Sequence, residues 1–128
     1  MYIALDFDGT CVTHEFPKVG KDIGAVPILK ELVEKGHKII LHTMRAKGND
    51  EIDYLQPAIK WFEDNGIPLF GVNHNPTQDR WTTSLKAFAH IYIDDAALGC
   101  PLTTSELSER PYVDWIKIKE ILKNMNIL

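Results

Sequence analysis

The chain opens on Tyr2-Ile3-Ala4-Leu5, an apolar run that passes without a break into Asp6-Phe7-Asp8-Gly9-Thr10. A strand buried on both faces of a parallel sheet needs such a run. An ionised carboxylate at its end is costly unless it is paired or bound to a metal. Strand side chains alternate, so Asp6 and Asp8 point one way while Leu5 and Phe7 point the other. Gly9 then lets the backbone turn without placing a side chain in the space the carboxylates face. Two same-facing carboxylates at a strand end, followed by a glycine turn, are suited to phosphoryl-transfer chemistry.

Apolar runs and helical periodicities alternate along the rest of the chain, which predicts an α/β fold with a mainly parallel sheet. The first strand is expected over residues 2–7. A helix follows over 23–35, with Ile28, Leu29, Leu32 and Val33 on one face and Gly36 as its stop. The second strand is 37–42, ending at Thr43. A polar loop containing Lys47-Gly48-Asn49-Asp50 leads to a helix over 51–65 that carries Leu55, Ile59 and Phe62, and Pro57 marks its true start or a kink. Residues 67–72 and 91–93 read as the third and fourth strands. A last helix is expected over 112–126, with Val113, Ile116, Ile121 and Leu122 buried. Each polar cluster falls just past a strand: Asp6 and Asp8, then Thr43, then Asp94 and Asp95. The carboxyl ends of strands line the ligand crevice of an open parallel sheet, so these residues converge in a fold of that kind.

At 128 residues the chain is long enough to bury a core as one domain without disulfides or structural metal. A net charge of −4 and the lack of any Lys/Arg run argue against a dedicated nucleic-acid-binding module. Cys11 and Cys100 have no disulfide or zinc spacing, which fits a reducing compartment. No stretch is long and apolar enough to span a membrane, and no signal peptide is seen, so a cytoplasmic protein is expected.

Taken together, the motifs resemble those of the haloacid dehalogenase superfamily of aspartate-dependent hydrolases. Asp6-Phe7-Asp8-Gly9-Thr10 is similar to its first motif, Ile39-Ile40-Leu41-His42-Thr43 to its second, and Ile91-Tyr92-Ile93-Asp94-Asp95 to the acidic-pair form of its fourth. Lys86 is the candidate for the basic third motif, with Arg80 in reserve. The resemblance implies a Rossmann-like three-layer sandwich and a magnesium-dependent phosphomonoester hydrolase. The roles it implies are Asp6 as nucleophile forming an aspartyl-phosphate, Asp8 as general acid and then base, Thr43 as a hydrogen bond to a phosphoryl oxygen, and Lys86 as the countercharge. Magnesium takes oxygen ligands, here Asp6, the Asp8 backbone carbonyl and the acidic pair, with Asp95 the preferred direct ligand and Asp94 acting through water or on Lys86. A phosphotransferase using the same intermediate, or a non-catalytic phosphate- or metal-binding module, is also compatible with these motifs.

Arg45, Gly9 and Thr10 are further candidates for contact with the substrate. His14, His42, His74 and His90 lack metal-ligand spacing and are not expected to be catalytic. Cys11 reads as a small core residue and Trp81 as packing over a sheet edge. About thirty residues separate the first motif from the second, and the connecting helix uses most of them. No cap domain fits there or between Thr43 and Lys86. The site is therefore expected to be open and suited to a phosphoryl group on a bulky molecule. The oligomeric state is not legible.

Overall fold

A computed structural model describes residues 1–128. The leading apolar run forms β1 (Tyr2–Leu5), followed by α1 (Ala25–Glu34), β2 (Lys38–Leu41), α2 (Gln56–Asp64), β3 (Gly71–Val72) and β4 (Ile91–Ile93). These four strands make one sheet in the order β3-β2-β1-β4, and every pairing is parallel. Ile3 lies opposite Ile39 on one side and Ile91 on the other, so β1 is central and fully enclosed. A separate antiparallel hairpin, β5 (Leu102–Ser105) and β6 (Ser108–Val113), precedes the last helix, α3 (Trp115–Asn124). No helix is long and apolar enough to cross a membrane.

Alternation along the strands divides the interior. Ile3, Leu5 and Phe7, with Ile39 and Leu41, share one apolar cluster with Leu29 and Leu32 of α1, Phe62 of α2 and Ile118 and Leu122 of α3. On the other side of β1, the Tyr2 ring packs on Phe70, Phe88 and His90. That face is covered by the segment 73–90, whose one regular piece is a short 3-10 turn at Pro76–Arg80. Asn75 and Gln78 are buried in this segment and bond to its backbone at Phe88, Ser84 and Lys86, which stands in for the missing ladder.

Three element boundaries depart from expectation, each for a local reason. The second helix begins at Gln56 with Pro57 in its first turn, where a missing N–H leaves no bond unmade. Glu51 instead takes φ 68° in the preceding loop. The third strand shrinks to Gly71–Val72, since Pro68 has no N–H for a ladder. The expected C-terminal helix loses Tyr112 and Val113 to β6. It starts at Trp115, where the Asp114 carboxylate caps the N–H groups of Ile116 and Lys117. Its buried stripe is accordingly Trp115, Ile118 and Leu122, leaving Ile116 78% exposed and Ile121 42%.

Candidate active site

The sheet order reverses direction between β1 and β4, and the polar cleft lies beyond the carboxyl ends of those two strands. It has a volume of about 360 Å³ and is lined by Asp6, Asp8, Thr43, Asp94 and Asp95, the residues expected from the sequence. It is also lined by His14, Phe16, Met44 and Arg110.

Asp6 continues β1, its N–H donating to the Ile93 carbonyl at 3.0 Å, so the end of β4 fixes its backbone. One carboxylate oxygen from each of Asp6, Asp94 and Asp95 can be chosen so that all three lie within 4.8 Å of one another. Burial pushes the Asp6 carboxyl up to about 8; the Thr10 hydroxyl pulls it down and the Asp94 charge pushes it further up. Burial draws the Asp95 carboxyl upward, but the His14 bond and charge together with hydrogen bonding to Asp6 and Asp94 outweigh it and leave the carboxyl below the ordinary range. His14 Nε2 lies 2.5 Å from Asp95 Oδ2. Asp94 accepts the Ala96 N–H on Oδ1 and has no protein partner on Oδ2. The donor set is all oxygen and strongly anionic, which suits a hard divalent cation such as magnesium.

Asp8 shares the strand face of Asp6 but turns to a different partner. Arg45 donates Nε–H to Asp8 Oδ2 and Nη2–H to Asp8 Oδ1, both at 2.8 Å. Its remaining donors reach the carbonyls of Pro17, Tyr54 and Lys18, and the guanidinium carbon lies 5.1 Å from both the Phe7 and Phe16 ring centres. A guanidinium has five N–H groups and all are used here. Arg45 is therefore not a substrate contact: it is 3% exposed and clamps Asp8 to two loops.

Two further expectations are corrected in the same way. Thr10 is fully buried, donates to Asp6 Oδ2 at 2.8 Å and accepts the Asp95 N–H at 3.1 Å, so it braces the two aspartates and cannot reach a ligand. The Gly9 N–H donates to the Val12 carbonyl and so is not left to donate to a phosphoryl oxygen, and its own carbonyl accepts from Val113. What Gly9 provides is φ 80° and space: a Cβ there would collide with the His14 ring and come within 2.6 Å of Asp95 Oδ2.

Thr43 is placed as expected. Its hydroxyl oxygen accepts the Arg45 N–H at 3.1 Å and its O–H is left to donate into the cleft. Lys86 is exposed and does not line the cleft; its Nζ lies 5.1 Å from the Tyr92 ring centre. Arg80 is exposed in the 3-10 turn and also lies outside the lining. Cys11 is fully buried, and burial with the Asp6 and Asp8 charges pushes its thiol well up, consistent with an inert core residue. His14 and Arg110 are the residues that sequence reasoning missed. His14 lies only four positions beyond the Asp-Gly-Thr turn, a placement that would have been a signal; Arg110 belongs to an unanticipated hairpin and had none.

The fold and this cleft define the chain as an α/β protein with an acidic site at the reversal of a parallel sheet. No family model matches the chain, and no curated protein matches it in sequence. Among solved structures, a conserved protein coded by a locus of Bacteroides thetaiotaomicron is similar at a TM-score of 0.76 and 32% identity, covering 98% of this chain and 91% of that one. The chain belongs to the same family as that protein.

Proposed function

We propose that the protein is a magnesium-dependent phosphomonoester hydrolase of the haloacid dehalogenase type, working through an aspartyl-phosphate on Asp6. The observation that carries this reading is the convergence of Asp6, Asp94 and Asp95 beside Asp8 and an uncommitted Thr43 hydroxyl. The first strand at the centre and the reversal beside it support a Rossmann-like arrangement, with the 73–90 segment serving as the third layer.

Asp6, Asp94 and Asp95 would hold the cation, Asp94 through an Oδ2 that no protein group engages and Asp95 through Oδ1, since His14 holds its Oδ2. When bound, magnesium screens the charge of phosphate and carboxylates, which otherwise repel each other. The Asp6 carboxylate attacks phosphorus, forming an O–P bond as the ester O–P bond breaks and the leaving oxygen departs with its electron pair. Asp8 gives that oxygen a proton and later takes one from the water that cleaves the acyl phosphate. Arg45 orients Asp8 without blocking it, since each carboxylate oxygen keeps a second lone pair. Thr43 donates its O–H to a phosphoryl oxygen.

The test is a panel of phosphomonoesters assayed with and without magnesium. Turnover is expected with magnesium, loss of it in Asp6→Asn, and inhibition by calcium, whose higher coordination number can hold Asp6 through both oxygens. Near-normal turnover by Asp6→Asn would refute the nucleophile assignment.

A further inference from the structure

We propose that Arg110, on the hairpin after the fourth strand, is the cation that holds the substrate's phosphoryl oxygens at the mouth of the cleft; this rests on the phosphomonoester reading above. The charge inventory of the cleft leads there. Its lining contains four carboxylates, of Asp6, Asp8, Asp94 and Asp95, and the basic side chains of His14, Arg45 and Arg110. Arg45 has no donor left, and His14 Nε2 is tied to Asp95. The Arg110 side chain makes no hydrogen bond or ion pair within the protein, although Glu106 and Glu109 lie with it around an adjoining cleft. A phosphate dianion brought among four carboxylates needs positive charge beyond that of a metal, and Arg110 is the lining residue free to supply it.

The hairpin is also anchored where such a residue has to be. The Val113 N–H at the end of β6 donates to the Gly9 carbonyl at 2.9 Å, and the Trp115 indole N–H donates to the Thr10 carbonyl at 2.7 Å. Arg110 therefore projects from a strand bonded directly to the turn that follows Asp6 and Asp8. Its planar fork can engage two phosphoryl oxygens at once, which a lysine ammonium does not do in fixed geometry. Lys86, exposed and with its Nζ 5.1 Å from the Tyr92 ring centre, is not among the residues that line the cleft.

Calorimetric titration of inorganic phosphate into the magnesium-saturated protein tests this without requiring turnover. Wild type is expected to bind phosphate, Arg110→Ala to weaken it by about tenfold or more, and Arg110→Lys to recover part of the loss, as expected for a charge-assisted pair. Lys86→Ala is expected to stay within about twofold of wild type, because a residue outside the contact carries little of the binding energy. Magnesium affinity, titrated separately, should be the same in Arg110→Ala and wild type. Equal phosphate affinity in wild type and Arg110→Ala, a loss in Lys86→Ala instead, or no phosphate binding by wild type would overturn the assignment. Phosphate binding through Arg110 without turnover of any phosphomonoester would overturn the hydrolase reading and leave Arg110 in place. Turnover with the same KM in Arg110→Ala as in wild type would do the reverse.

Discussion

At the residue scale, the pairing of Asp8 with Arg45 changes how the site has to be probed. The guanidinium is 3% exposed and relies on Asp8 for two of its five bonds, so Asp8→Ala strands a buried charge. Breaking such a pair costs about 3–5 kcal/mol, a large part of the roughly 5–15 kcal/mol that stabilises a domain. Loss of activity in that variant would report unfolding as readily as chemistry. Asp8→Asn keeps an acceptor for Arg45 and removes the proton-transfer group, so it separates the two effects. Its turnover of alkyl phosphates is expected to fall by about 10²–10⁴-fold, the usual contribution of a positioned acid or base, with a much smaller fall for an activated aryl phosphate. The reason is that an alkoxide needs protonation as it leaves and a stabilised phenolate does not. Equal losses on both substrates, measured with metal saturating, would make Asp8 a structural residue.

At the element scale, what could be read in advance follows from how much of each segment's pattern is set by burial. β1 and β2 are flanked by strands on both sides and β4 packs its apolar residues along β1 at the sheet edge, so their apolar runs announced them, and with them came Asp6, Thr43, Asp94 and Asp95 just past their ends. The β5–β6 hairpin was invisible because Leu102–Ser105 is a polar, largely exposed strand and Pro111 interrupts the other. Arg110 went unseen with it. Arg45 was legible as a cation near Thr43, but its partner was not, since that depends on loops at residues 17–18 and 54 folding over it. One side chain joins the helix after the hairpin to the loop of the first motif. Trp115 is 3% exposed and its indole N–H satisfies the Thr10 carbonyl. Trp115→Phe keeps most of the apolar volume and orphans that carbonyl, at a cost of about 1–3 kcal/mol. Chemical denaturation should show that loss. An unchanged unfolding midpoint would mean that the indole bond contributes nothing to fixing the start of α3 against the motif loop.

At the scale of the whole molecule, the cleft's charge and the stability of the fold are one problem. β1 is central, so its burial is needed for the core, and the same burial carries Asp6 out of water and lifts its carboxyl from 3.8 to about 8. Below about pH 4 that carboxyl is protonated in both folded and unfolded chains and has no effect on their balance. Between 3.8 and about 8 the folded chain holds a proton that the unfolded chain releases, so raising the pH favours unfolding. Asp95 acts in the opposite sense, since its folded carboxyl is lowered, but its contribution is lost only as the pH falls below the ordinary carboxylate range. Freed of divalent cations, the protein is therefore expected to melt at progressively lower temperature from pH 5 to pH 8, the interval within which Asp6 alone of the two carries the dependence. Asp6→Asn should flatten this decline, because the amide needs no proton to remain neutral. Added magnesium should also reverse it in the wild type, by giving the ionised carboxylate a partner in place of the proton. Thermal melts of both proteins across that range, with and without magnesium, measure the difference directly. Parallel curves for wild type and Asp6→Asn would show that burial of Asp6 does not govern the stability of the metal-free fold.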